Sequence, residues 1–150
     1  MLRYLQVNEK KPLALMKAGA AMKKGAAIVK DYTDGTVDNA TATDGIFLVD
    51  KANNYDGINA IIPQNDGGYE DIKEGEIVIT IPLYVGERYA TSELTVGSLN
   101  VGDLLKASAG KFVAGTTNDV CNFVYRGEYD DPCGIKLYIV EVVAPTKITA

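Results

Sequence analysis

The acids are the side chains best placed to do chemistry in this chain. Asp31, Asp34, Asp38 and Asp44 crowd into one stretch, DYTDGTVDNATATDG. Calcium takes roughly six or more oxygens from a folded loop of the type D-x-[DN]-x-[DN]-G, closed by a bidentate Glu. Asp34-Gly35 matches only the end of that pattern, and the Glu is missing. The stretch therefore reads as a solvated acidic loop. Asn65-Asp66-Gly67-Gly68 and Glu128-Tyr129-Asp130-Asp131 read the same way, because these residue types are turn formers before they are ligands. Cys121 and Cys133 are the only thiols, with no CxxC or CxH spacing to build a metal site. A hairpin turning around Tyr129–Pro132 sets Cys121 opposite Val140 and Cys133 opposite Glu128, which is out of disulfide reach, so two reduced thiols are expected.

What is missing narrows the chemistry further. The chain has no histidine and no tryptophan, and its only serines are Ser92, Ser98 and Ser108. Ser-His-Asp and Cys-His catalysis are excluded, together with His-ligated zinc or iron. No glycine-rich phosphate loop is present, since Gly67-Gly68 lacks both GxxxxGK[ST] and GxGxxG spacing. Paired carboxylates remain open to a sugar-cleaving or carbohydrate-binding role, but without tryptophan platforms. The expectation is a protein that is not an enzyme, with no catalytic, cofactor-binding or metal site.

The elements that must hold any site are strands. Leu13–Lys24 is the best helical stretch, yet Gly19 interrupts it, and the reading preferred is a strand over Leu13–Lys17, a turn at Ala18-Gly19 and a second strand entered through Lys24-Gly25. Gly86–Glu93 is either a short helix or a loop. Ala26–Tyr32, Gly45–Asp50, Gly57–Ile62, Glu76–Val85, Asp103–Ala107, Lys111–Ala114, Cys121–Gly127 and Gly134–Val143 are rich in β-branched and aromatic residues and are separated by turn clusters. The predicted fold is mainly β: a small β-barrel or β-sandwich of eight or nine short strands, with few or no helices and an extended N-terminal arm. Pro82 interrupts the longest run and points to an edge strand or a bulge. Met22, Gly25, Gly35 and Phe47 align with Leu99, Gly102, Gly110 and Phe123. This weak internal match suggests two pseudo-repeats near 13–52 and 94–128 inside a single β domain, 13–144, followed by a C-terminal tail, 145–150.

Charge is divided along the chain. The net charge of −5 splits into +6 over residues 1–30, with seven basic side chains and Glu9, and −11 over the remainder. Such a basic segment can dock on an acidic surface, its own or a neighbour's. Its lysines are scattered and lack interleaved aromatics, so direct nucleic-acid binding is not expected. Residues 1–12 form the candidate arm. Leu2, Arg3, Tyr4, Leu5, Val7, Lys10 and Lys11 offer apolar and basic groups to a neighbouring subunit, and a first strand pairing with the chain's own sheet is the equal alternative. No apolar run is long enough for a bilayer, and Met1–Lys11 lacks a signal-peptide core, so a soluble, cytosolically made protein with no membrane partner is expected.

Ala18-Gly19, Met22, Lys24-Gly25, Ile28-Val29, Asp34-Gly35, Ala40–Thr43 and Gly45–Val49 follow one another as apolar strand, glycine turn, hairpin, Ala/Thr-rich stretch and closing strand. Val101–Gly115, VGDLLKASAGKFVAG, repeats the turn and hairpin, and Lys136–Val143 supplies a final strand. In this order of elements the chain resembles the capsid decoration (cement) proteins of tailed bacteriophages, although Asn53–Glu93 has no counterpart in that pattern. The resemblance implies a β-barrel protein on the exterior of the virion capsid. There it would bind the major capsid protein, be made in the host cytoplasm, and act as a homo-oligomer, often a trimer. Another virion component, such as a head fibre base, head-completion or tail protein, is the alternative.

Overall fold

The computed structural model describes residues 1–8, 10–41, 45–52, 70–132 and 134–149. Among the described residues the chain is all β, with no helix and thirteen strands. These are β1 (Leu2–Gln6), β2 (Ala14–Ala18), β3 (Met22–Lys23), β4 (Ala27–Asp31), β5 (Thr36–Asn39), β6 (Ile46–Lys51), β7 (Asp71–Ile72), β8 (Ile77–Ile81), β9 (Arg88–Thr91), β10 (Leu104–Ser108), β11 (Lys111–Ala114), β12 (Val120–Asp130) and β13 (Lys136–Lys147). Five of them close on themselves in the order β2-β5-β4-β6-β8. Six form a sheet ordered β1-β9-β13-β12-β10-β11, and β3 pairs with β7.

The two larger assemblies are one pattern used twice. In the first, β4 pairs with β5 and β6, and β8 lies between β6 and β2. In the second, β10 pairs with β11 and β12, and β13 lies between β12 and β9. The registers correspond over the central pairs and part where β12 is irregular after Tyr125. Ile28 faces Asn39 and Phe47, and Leu105 faces Ala114 and Phe123. Leu15 faces Ile79 as Ala90 faces Ile139, and Leu48 faces Ile81 as Val124 faces Glu141. The first unit closes through the parallel pair Ala18 and Val37; the same position in the second holds the parallel bridge between Leu94 and Phe112.

Backbone hydrogen bonds repeat as well. Gly25 N–H donates to Val49 O at 2.8 Å, as Gly102 N–H does to Tyr125 O at 2.8 Å. Val49 N–H returns a bond to Ala26 O, and Tyr125 N–H returns one to Asp103 O. Both glycines take positive φ, +88° and +103°, as the third residue of the turn that launches the next strand requires. The repeat is longer than the sequence match indicated: it takes in β8 and β13 at one end and β2 and β9 at the other, spanning 14–81 and 88–142.

The strand alternation sorts apolar side chains between two cores. Ala18, Ile28, Val37, Val49 and Val78 fill the inside of the first unit with Met22, Ala26 and Ile72. Their counterparts Leu94, Leu105, Phe112 and Tyr125 fill the second, where Phe112 and Phe123 meet edge to face at 4.9 Å. The second core is larger because it is continuous with the outward side of the first unit, through Ala27, Ala40, Ile46, Leu48 and Ile81. The units are also joined by backbone: Ala27 N–H donates to Gly110 O, and Gly110 N–H to Ala40 O. Gly110 has φ +81°, and a Cβ there would run into the Asn39 side chain, so the docking point requires glycine.

Several expectations need correction. Gly86–Glu93 contains no helix; Gly86 is the third residue of the same kind of turn as Gly25, and strand β9 follows. Pro82 marks neither an edge nor a bulge, since β8 is paired on both sides and ends at Ile81, just before the ring that lacks an N–H. The β12–β13 register differs from that expected. β12 runs on to Asp130 and β13 starts only at Lys136, so the strands turn later than expected; Cys121 stands opposite Thr146 and Glu128 opposite Tyr138, with irregularities after Cys121 and after Tyr125. The tail begins as part of the sheet: β13 runs through Pro145 to Lys147, and Ile148 exchanges backbone bonds with Asn118 and Asp119. The expected strand Gly57–Ile62 lies outside the described residues, as do Asn65–Gly68, Asp44 and Cys133.

Candidate functional site

Residues 2–6 do not extend away from the body. They form β1, antiparallel to β9, with Leu2 opposite Thr91 and Tyr4 opposite Tyr89. Leu2 is fully buried, and Val7 packs on the same core. Of the two readings open at the N-terminus, pairing with the chain's own sheet is the one that forms. Burying Leu2 and Val7 and satisfying one edge of β1 outweighs leaving both in water. Between Tyr4 and Gln6 the register slips, leaving Leu5 as the extra residue of a bulge.

The basic groups of this segment dock on the chain's own acids. The Arg3 guanidinium grips the Asp131 carboxylate with both arms, at 2.5 and 3.2 Å, and the Asp131 side chain is completely buried. Lys24 pairs with Asp50 at 3.2 Å, and Lys23 with Asp71 at 3.8 Å. The Met1 ammonium donates to Ser92 Oγ and Lys24 O and pairs with Glu70. Tyr4 packs edge-on against Tyr89 and donates its hydroxyl to Asp50 at 3.0 Å. Burial and the Asp50 charge push the Tyr4 phenol well above its ordinary range.

Lys11 has the most buried pair. Its ammonium donates to Glu87 Oε1 at 2.6 Å, to Tyr89 Oη at 2.5 Å and to Pro82 O at 3.0 Å. The Glu87 carboxylate also accepts the N–H groups of Asn8 and Tyr84, at 2.8 and 2.7 Å. Burial alone would raise the Glu87 carboxyl. Lys11 and the two backbone donors reverse that and hold it below the usual carboxylate range. The same burial and the Glu87 charge drive the Tyr89 phenol strongly upward. Every donor on the Lys11 ammonium has an acceptor, so the cluster ties Asn8 and Lys11 to the start of β9.

Of the seven arm residues, then, Leu2 and Lys11 are buried, Val7 packs on the core and Arg3 holds Asp131. Tyr4, Leu5 and Lys10 remain at the surface. From the acid clusters, Asp31 and Glu128 serve local structure. Asp31 accepts the N–H groups of Thr33 and Asp34 and shapes the β4–β5 turn, while Glu128 pairs with Lys136 at 2.8 Å. Among the described residues no three His, Cys, Asp or Glu side chains come together as metal ligands. Cys121 is a buried free thiol whose pKa is raised, first by burial and then by Asp119.

An exposed apolar surface lies on the first unit, unexpected from the sequence. Leu13, Leu15 and Ile77 are exposed on the outward side of β2 and β8, beside the half-buried Ile79. Ala14–Ala18 alternates in burial like a strand with one wet face, yet its wet face carries leucine. The signal was present in apolar residues at successive positions, Leu13 to Met16, where a surface strand would alternate with polar ones. A shallow groove at the rim of the first unit is lined by Val29, Lys30, Tyr32, Gly45 and Phe47, and its Lys30 ammonium lies 4.2 Å from the centre of the Phe47 ring. No family model, curated protein or solved structure matches the chain.

Proposed function

We propose that this chain is a structural virion protein that binds the outer surface of an icosahedral bacteriophage capsid and stabilises contacts between major capsid subunits. In this reading the closed ring and its repeat are two small β-barrels in tandem, and the protein works as a homo-oligomer without catalytic chemistry. One observation carries it. The ion pairs described, Lys11 with Glu87, Arg3 with Asp131 and Lys24 with Asp50, each brace one segment of the sheets against another. A protein whose task is contact needs such bracing, and the resemblance in turn-and-strand order adds its weight. A ligand that binds the assembled shell and not its loose subunits raises the stability of the shell by mass action, and many copies on a lattice make modest interfaces collectively strong. In the N-terminal segment, the exposed Tyr4, Leu5 and Lys10 are the groups left to meet the capsid.

The test is particle composition. Purified particles should carry many copies per shell, and stripping them should lower the temperature at which the shell releases its genome. Leu5→Asp with Lys10→Glu should reduce occupancy without unfolding the free protein. A few copies confined to one vertex or the tail would replace decoration with another virion role, and absence from particles would end the reading.

A further inference from the structure

Arginine occurs three times in this chain, against twelve lysines, and all three stand on one face of the six-stranded sheet. Arg3 is opposite Ala90, and Arg88, two residues before Ala90, is opposite Glu141. Ile139 and Val124 carry these two rows onto β13 and β12. Arg126 is tied to the same side by its ion pair with Glu141. This is the outward face, since Leu2, Tyr89, Val140 and Phe123, which point the other way, fill the core. Between the arginines the face is apolar: Ala90 and Val124 are buried, and Leu104, Ile139 and Val143 are half-buried. The first unit holds Leu13 and Ile81 where the second holds Arg88 and Glu141, so the strand pattern does not itself require these charges.

Two guanidiniums share one carboxylate here. Arg88 Nε donates to Glu141 Oε2 at 2.9 Å, and Arg126 Nε donates to the same oxygen at 2.7 Å. Glu141 is the only partner either arginine has among the described residues, so the Nη groups of both are left without acceptors. The two side chains remain 45% and 36% exposed. One positive charge is thus in excess at this pair, while the neighbouring Arg3 is committed to Asp131. Glu141 also orders two long side chains before any partner arrives, which lowers the entropy lost on binding. We infer that this face docks a carboxylate-bearing segment of a partner protein through the free Nη edges of Arg88 and Arg126. A guanidinium fork pairs with a planar carboxylate through two parallel bonds, and arginine set among apolar side chains is the composition of a protein interface. A nucleic acid fits less well. Its closely spaced phosphates would meet Glu141 and Asp131, and Ile139 and Val143 offer them no donor. The inference is separate from the capsid reading and needs no particle.

Fluorescence anisotropy of labelled poly-L-glutamate, titrated with the full chain at low ionic strength, tests it. The wild type should bind, and added salt should weaken the binding. Arg88→Gln with Arg126→Gln should raise the dissociation constant by roughly tenfold or more. Arg88→Lys with Arg126→Lys keeps both charges beside Glu141, yet should still bind several-fold more weakly, because lysine lacks the fork. Lys73→Gln, which removes an exposed charge from the first unit, should bind as the wild type does. The circular dichroism spectrum should be the same throughout. A wild type that does not bind overturns the inference, as does a loss no greater than that of Lys73→Gln, or lysine variants that bind as tightly as the wild type. Tighter binding of an oligothymidylate of equal charge would assign the face to nucleic acid. Self-association abolished by the Arg88 and Arg126 variants would assign it to a second copy. Either result equally overturns the inference.

Discussion

The Lys11 ammonium and the Glu87 carboxylate meet across 76 residues of sequence in a pair that solvent barely reaches. Tyr89 and the N–H groups of Asn8 and Tyr84 complete the carboxylate's shell. Removing one member strands the other in a place built for its charge. Lys11→Met and Glu87→Leu should each cost about 3–5 kcal/mol, whereas the double variant should cost less than the sum, because no buried charge is left unpaired. Urea unfolding of the four proteins measures the coupling. Additive losses would show that the pair is solvated and contributes little.

The same pair gives the stability a pH dependence of known sign. The Glu87 carboxyl is held below its unfolded value, which is about 4.3 for a glutamate. Its contribution is complete above that value and is lost as pH falls from there through the folded pKa, because the unfolded chain binds the proton first. Glu141, held down by Arg126 and Arg88, adds a smaller loss in the same direction. The urea midpoint of the wild type should drop between pH 5 and pH 3, and Glu87→Gln, already destabilised at neutral pH, should drop less. Parallel profiles for the two proteins would remove Glu87 from the explanation.

The turn glycines of the two repeats should respond unequally to alanine. At Gly102 a Cβ meets nothing within 4 Å, so Gly102→Ala pays only for its positive φ, about 1–2 kcal/mol. At Gly25 the same Cβ would stand 2.6 Å from Thr91 Oγ1 and 2.9 Å from Met1 O, against the start of β1. Gly25→Ala should therefore destabilise more, and it should also speed hydrogen exchange along β1 and β9. Equal melting temperatures for the two variants would mean that β1 does not lie against this turn.

Turn chemistry is local, and that is why so much of the hairpin pattern was legible. Gly25 and Gly102 sit where only glycine takes the required φ, and the runs after them read as strands from their own residues. The repeat was visible where both copies kept a glycine or Phe, and invisible where they kept only a pattern of in and out. Leu15 and Ala90 hold the same place yet share no chemistry, and β9 offered only Arg-Tyr-Ala-Thr to mark a strand. The fate of the basic segment was harder still. Whether Lys11 meets a neighbour or its own Glu87 depends on contacts distant in sequence, and its charge alone says nothing about that choice. The exposed Leu13 and Leu15 fit the strand period and stand out only as an excess of apolar residues on a wet face.

The N-terminal strand gives the last prediction. An arm lying on a neighbour can be removed without harm to the domain it leaves, but β1 cannot. Deleting residues 1–11 uncovers Tyr89 and Thr91, takes Leu2 out of the core, and leaves Glu87 and Asp131 buried without Lys11 and Arg3. A stranded Glu87 carboxylate alone costs several kcal/mol, a large share of the roughly 5–15 kcal/mol that keeps a domain folded. The truncated chain should therefore unfold or aggregate at temperatures where the full chain melts cooperatively. Adding Glu87→Gln to the truncation should recover part of the loss, since the buried charge left by Lys11 is then gone. Differential scanning calorimetry of the three proteins decides the matter. A truncated protein that melts like the full chain would show β1 to be an accessory strand, and would return its residues to the role of a free arm.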